Sequence, residues 1–232
     1  MTLAFIGGWG NRDDSLETCT RRLLDSLEYM PPEPDTYGPW GVWVPLGDGI
    51  GYKFASIDAS DPAVLEREIV TATERIYDGP KATPGHNVLL IREPRGERLP
   101  TSPSRFEYAV RAGFVGRKRP FNHVLLEADA ATDESLVTRI MSALVIAWEP
   151  DRLGVATDEV QTAQGQTPPQ ALVGLLTYVK AGTDFDTNAV DDQVVVSEAD
   201  GGLYINIPGT PENPSMDHIR QVRTALGYPN SS

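Results

Sequence analysis

Residues 40–57, WGVWVPLGDGIGYKFASI, decide the fold class. Two apolar-rich segments, 40–46 and 50–57, flank Gly47-Asp48-Gly49, residue types that reach positive φ at low steric cost. The stretch therefore predicts an antiparallel hairpin. A second hairpin is predicted where 193–197 and 203–207 flank Gly201-Gly202. Further strands are expected at 3–6, 87–92, 106–112, 121–127 and 153–157. In the third of these Phe106, Tyr108, Val110 and Ala112 alternate with Glu107, Ala109 and Arg111 at the strand period of two. Residues 173–179 are open to two readings. Pro168-Pro169 could start a helix, yet Gly174 and the β-formers Val173, Thr177, Tyr178 and Val179 favour extended chain, so a strand is expected.

Helical periodicity is confined to four segments. Asp14 and Glu17 have capping-box spacing ahead of Leu16, Cys19, Leu23 and Leu27, which predicts a helix over 14–29 stopped by Pro31-Pro32. Asp61-Pro62 opens a second, with Leu65, Ile69, Ala72 and Ile76 on one face and Gly79-Pro80 at its end. Thr132 or Asp133 caps a third, carrying Leu136, Ile140, Leu144 and Ala147, and Asn213-Pro214 caps a last one with Ile219, Val222 and Leu226. Strands mostly follow strands, so the class is α+β, with a mostly antiparallel sheet and about four helices. One domain over 1–232 is expected, with two lobes, 1–118 and 119–232, as the alternative. A faint echo supports the latter: Asp13-Asp14-Ser15-Leu16 and Asp133-Glu134-Ser135-Leu136 each open a helix after a strand. Two unrelated, well-capped helices would look the same.

Composition narrows the function classes. The 232 residues are 40% apolar, carry a net charge of -13 and include one cysteine, which excludes disordered, collagen-like and disulfide-framework chains. No positive charge precedes the apolar residues of segment 1–9, and the longest apolar run, 143–148, is far short of the roughly 20 residues that span a bilayer. A soluble, cytoplasmic protein is expected. Its acidity repels phosphate, so neither direct nucleic-acid contact nor an anionic membrane is expected, and a basic protein is the better partner.

Catalytic motifs fail one by one. No phosphate-binding Gly-Lys-Ser/Thr loop, dinucleotide fingerprint or Gly-x-Ser-x-Gly elbow occurs. Cys19 lies on an apolar helix stripe, which suits a small buried hydrophobe better than a nucleophile. His86, His123 and His218 are isolated from one another and from Cys19, unlike zinc ligands. Asp184-Phe185-Asp186-Thr187-Asn188 starts like a calcium loop, but Ala189 stands where glycine is needed and Val195 where a bidentate glutamate belongs. None of Lys53, Lys81, Lys118 and Lys180 has an acidic residue two places upstream, as a restriction-type nuclease requires. No catalytic residue, metal or cofactor is assigned.

Charge is distributed unevenly instead. Residues 92–119 carry eight basic and three acidic side chains, so the remainder of the chain carries -18. Between Lys180 and Arg220 lie Asp184, Asp186, Asp191, Asp192, Glu198, Asp200, Glu212 and Asp217 without one lysine or arginine. The pattern reads either as a solvated acidic face or as a docking surface for a basic protein, where complementary potential raises the on-rate.

Short motifs at both ends and the centre resemble a known family. Phe5-Ile6-Gly7-Gly8-Trp9-Gly10-Asn11-Arg12 running into Ser15-Leu16-Glu17-Thr18-Cys19, then Trp40 and Trp43, is similar to the opening of the immunity protein 52 family. So are Ala147-Trp148-Glu149-Pro150-Asp151, Val173-Gly174-Leu175-Leu176-Thr177-Tyr178, Gly202-Leu203-Tyr204-Ile205-Asn206-Ile207, and Asn213-Pro214 leading to His218. Leu175 replaces the tryptophan expected after Gly174, and the loop from Arg92 to Ser104 is longer than typical. The resemblance implies an α+β immunity protein of a bacterial polymorphic-toxin system, encoded beside a toxin with a restriction-endonuclease-like domain that it binds and silences.

Joined to the charge pattern, this makes Asp184, Asp186, Asp191, Asp192 and Asp200 the candidate toxin contacts, with Trp40 and Trp43 as aromatic anchors. Burial beside Val42 and Val44 is an equal alternative for the two tryptophans. A metal-assisted hydrolase using the 184–192 carboxylates and a structural assembly subunit are the competing functions. Oligomeric state is not legible.

Overall fold

The computed structural model describes residues 2–30, 37–47, 51–77, 85–94, 106–116, 121–129, 134–165 and 170–229. In chain order they form β1 (Thr2–Trp9), α1 (Leu16–Tyr29), β2 (Tyr37–Pro45), β3 (Tyr52–Ser56), α2 (Pro62–Tyr77), β4 (His86–Pro94), β5 (Glu107–Ala112) and β6 (Asn122–Asp129). There follow α3 (Glu134–Trp148), β7 (Arg152–Thr157), α4 (Asp158–Gln164), β8 (Leu176–Lys180), β9 (Val195–Ala199), β10 (Gly202–Asn206) and α5 (Met216–Ala225). A 3-10 turn at Thr187–Ala189 and a two-residue ladder of Gly209–Thr210 with Asn213–Pro214 complete the set.

All ten strands join one antiparallel sheet in the order β3-β2-β4-β5-β6-β1-β7-β8-β10-β9. The first strand thus lies near the middle, pairing with β6 from Thr2↔Asp129 to Trp9↔Asn122 and with β7 from Leu3↔Thr157 to Gly8↔Arg152. The sheet draws on both 1–118 and 119–232. The sequence echo falls on α1 and α3, which pack together, but the halves order their strands differently beyond that pair.

Strand alternation sends side chains to two cores. Leu3, Phe5, Tyr108, Leu126, Leu153, Val155 and Tyr178 face the layer of α1, α2 and α3. Ala156, Val179 and Ile205 face α4 and α5, meeting Val160, Ile219 and Val222. Each buried Val, Leu, Ile or Phe among them contributes about 1.5–3 kcal/mol. Among the described residues no helix is long and apolar enough to cross a membrane.

Several expectations need correcting. The described residues form five helices rather than four; the additional one is the seven-residue α4, which Thr157 caps, accepting a hydrogen bond from the Val160 N–H, and Gly165 ends at φ 52°. Ser15, not Asp14, caps α1, its hydroxyl accepting from the Thr18 N–H. Ser215, not Asn213, occupies the N-cap of α5, while Asn213-Pro214 serves the short ladder. The expected strand at 173–179 begins only at Leu176. Ahead of it, Val173 bonds on both backbone groups to the buried Gln164 amide, at 3.1 and 2.5 Å, in place of a neighbouring strand. The turn residues Asp48-Gly49-Ile50, and the helix stops at Pro31-Pro32 and Gly79-Pro80, lie outside the described residues, as do Thr132-Asp133 and Pro168-Pro169.

The close approach of the 172–174 backbone to β7 explains two glycines. A Cβ on Gly154 would collide with the Leu172 carbonyl oxygen, and one on Gly174 with that of Val155. Both obstacles are backbone and cannot rotate away. Gly154→Ala is therefore expected to lower unfolding free energy by more than about 3 kcal/mol, whereas Gly47→Ala, which meets nothing within 4 Å, should stay within about 0.5 kcal/mol in the same urea titration.

Candidate functional site

Asp184, Asp186, Asp191, Asp192, Glu198 and Asp200 lie between β8 and β10, on or next to β9, whereas Glu212 lines a cavity with Glu134 and Val137 of α3 and Asp217 sits in the first turn of α5. Asp184, Asp186, Asp191, Asp192, Glu198, Asp200, Glu212 and Asp217 are all exposed. Asp186 caps the 3-10 turn, its carboxylate accepting from the Asn188 N–H at 3.0 Å, while its own N–H reaches the Ala225 carbonyl. The calcium-like string is thus an Asx turn docked on the end of α5. Among the described residues, no group of three or more His, Cys, Asp or Glu side chains is placed to hold a metal ion.

Asp191 is engaged rather than idle. Its carboxylate accepts from Gln221 at 3.2 Å and lies 2.9 Å from His218 Nε2, and its N–H donates to Gln221 Oε1 at 3.0 Å. Slight desolvation works against ionisation, but hydrogen bonds from Gln193, Gln221 and His218 and the imidazole charge outweigh it and hold the Asp191 carboxyl below its ordinary value. On the other side of the ring, Ser215 Oγ lies 2.5 Å from His218 Nδ1. The order Ser215, His218, Asp191 matches the partners of a hydrolytic triad, yet the ring is reversed: Nδ1 meets the hydroxyl and Nε2 the carboxylate. Ser215 is the N-cap of α5 and His218 lies one turn on, so the chain of contacts ties the 184–194 loop to the helix start. Sequence reading missed this tie, because His218 and Gln221 are signalled only by their i, i+3 spacing on α5.

At the β9–β10 tip, Asp200 and Gly201 both have positive φ, 49° and 74°, which defines a two-residue type I′ turn. Tyr204 donates to Asp200 Oδ2 at 2.8 Å and Tyr178 to its carbonyl at 3.0 Å. Burial and the Asp200 carboxylate raise the Tyr204 phenol above its ordinary value, so it remains a donor at neutral pH. Beside the tip is a cavity of about 430 Å³, lined by Gly182, Thr183, Glu198, Asp200 and Leu203.

The tryptophans sit elsewhere. Trp40 packs edge-on against Phe106 at 5.4 Å, with the Arg92 guanidinium 5.1 Å from its ring, and belongs to the α1–α3 side core. Trp43 meets Phe54 at 6.3 Å and lines a groove of about 500 Å³ with Val42, Tyr52, Ala72, Ile76 and Leu89. Eight strand intervals separate β2 from β9, roughly 40 Å of sheet. The candidate aspartates thus lie in the segments next to β8, β9 and β10, and both tryptophans lie at the far end of the sheet. Most of the basic stretch, residues 95–105 and 117–119, lies outside the described residues.

The family-like motifs converge on a different place. Trp9 stacks on Trp148 with ring centroids 5.7 Å apart, Arg12 lies 4.7 Å over Trp9, and Asp151 accepts from the Gly10 N–H at 2.9 Å. Arg12 and Arg22 donate to the last carbonyls of α3, at Trp148 and Ala147. These residues are thus accounted for as a helix C-terminus closed by guanidinium groups.

No family model matches the sequence, and no curated protein matches it. Among solved structures, the T6SS protein PA0821 of Pseudomonas aeruginosa is similar in fold, with a TM-score of 0.55 over 98% of this chain and 76% of that one. The two are 10% identical, so the likeness establishes a shared fold and no more.

Two outcomes test this description. His218→Ala removes the link between Asp191 and Ser215, and amide exchange in the 184–194 loop is expected to rise about tenfold while β1 and β6 amides are unchanged. Separately, burial holds His86 and His123 below their ordinary values, and Arg111 adds to this for His123. The unfolded chain then binds protons more readily, so stability is full above about pH 6.5 and falls as pH drops through the folded-state values. Urea midpoints should be lower at pH 5.5 than at 7.5, with a smaller drop in His123→Asn.

Proposed function

We propose that the chain is an immunity protein that binds a cognate bacterial toxin in the cytoplasm and silences it by non-catalytic occlusion. The toxin on this reading is a nuclease with a restriction-endonuclease-like domain, whose substrate-binding cleft must be basic. The observation that carries it is the segment around β9: six exposed carboxylates, Asp184, Asp186, Asp191, Asp192, Glu198 and Asp200, in a stretch from Lys180 to Arg220 with no lysine or arginine inside it. The Asp191 network and the Tyr204 contact hold part of that charge in fixed positions, so little side-chain entropy is lost on docking. The motif resemblance to immunity protein 52 and the T6SS name of a fold neighbour support the same setting.

Asp184, Asp186, Asp192 and Asp200 are the contact residues, with Asp191 holding the surface in shape. Trp43 is exposed enough to anchor a partner only if that partner also reaches the far end of the sheet. Co-expression with the neighbouring toxin gene is the test. Wild type is expected to restore growth, and the quadruple change D184K/D186K/D192K/D200K to abolish rescue, while E66K/E74K on α2 leaves it intact. Killing that is equal with and without the wild-type chain would refute the reading.

A further inference from the structure

The outer edge of β9 is an open template. Among the described residues β9 is the last strand of the sheet, paired only with β10, from Ala199↔Gly202 to Val195↔Asn206 without a register shift. A two-residue type I′ turn makes Ala199 and Gly202 a mutually bonded pair. Antiparallel alternation then turns the N–H and C=O of Ala199, Ser197 and Val195 inward and those of Glu198 and Val196 outward. No described backbone group meets that outward row.

Sheet edges are ordinarily blunted by proline, lysine or a bulge. β3, at the opposite edge, carries the exposed Lys53. β9 reads Val195-Val196-Ser197-Glu198-Ala199, with none of these devices and with Val195 59% exposed. Its own charge opposes a second copy, because antiparallel pairing of two β9 edges would set Asp192, Glu198 and Asp200 of one against those of the other. The same charge favours a cationic strand, and Glu198 and Asp200 line the adjoining cavity. Lys180 also borders that cavity, but its ammonium lies 3.9 Å from Asp151.

We propose that β9 receives an extended, lysine- or arginine-bearing segment of the toxin as an added strand, with one of its cationic side chains seated between Glu198 and Asp200. This rests on the immunity reading and specifies how the partner is gripped. Backbone groups of Val196 and Glu198 supply the ladder, and the carboxylates select the occupant.

The probe is the catalytically inactivated product of the neighbouring toxin gene, titrated against the full chain. Glu198→Gln removes charge but keeps the outward N–H; Glu198→Pro removes both and spares the bonds to β10. Glu198→Gln is expected to weaken binding about fivefold, with a shallower salt dependence, and Glu198→Pro a further tenfold or more. Equal affinities for the two variants would overturn the added strand and leave the immunity reading standing; absence of any wild-type binding would remove both. Hydrogen exchange on the wild-type complex gives an answer that does not depend on the proline variant folding. Protection of the Val196 and Glu198 amides by the toxin supports the proposal, and unchanged exchange there, or protection by self-association without toxin, overturns it.

Discussion

The C-terminus of α3 is the joint on which the rest of the molecule depends. Its last carbonyls would be orphaned, and Arg12 and Arg22 close them, with Asp14 lying between the two guanidiniums at 2.7 and 3.6 Å. Trp148 at the same point donates to the Tyr108 hydroxyl, which in turn meets Ser26 at 2.8 Å. One buried cluster therefore fixes β1, α1, α3 and β5 relative to one another. Tyr108 and Ser26 are fully sealed from water, so losing any member strands a polar group in a low-dielectric interior.

From that joint the sheet extends both ways with different cover. Toward β3 the layer of α1, α2 and α3 packs on one face; toward β9 the helices α4 and α5 pack on the other. The 184–194 loop is pinned to both ends of α5, by Asp186 at its last residue and by Asp191 through His218 at its start. The loop is thereby given the rigidity of a helix. The negative field at this end is a property of placed groups rather than of average composition.

Local pattern revealed most elements and little of their arrangement. The helices with long apolar stripes, such as Leu65 and Ile69 on α2, announce themselves by period, and both hairpins do so by their turn residues. α4 buries a single apolar side chain, Val160, so no stripe betrayed it, although Thr157 and Gly165 marked its ends. The segment before β8 looked like strand because Val173 is a β-former; its backbone is satisfied by Gln164 from a helix, a long-range substitution that propensity does not encode. Strand order was hidden for the same reason: β1 finds β6 and β7 more than a hundred residues later. The aspartates stand out in the sequence by charge alone, but the side-chain contacts that hold Asp191 and Asp200 do not. That Trp40 belongs to the core while Trp43 lines a groove is not legible in the run Trp40-Gly41-Val42-Trp43, because what covers each side chain comes from α2 and β5, distant in sequence.

One detail of the interior bears on how this molecule can be watched. Cys19 is the sole sulfhydryl in the sequence; burial and the neighbouring Asp14 push it up to about 12, and its side chain is sealed beneath α1. Such a thiol is inert toward electrophiles at neutral pH. A cysteine engineered at Ser197 would then be a unique chemical handle, so that a fluorophore or a photo-crosslinker could be installed beside the acidic rim without first removing the native sulfur.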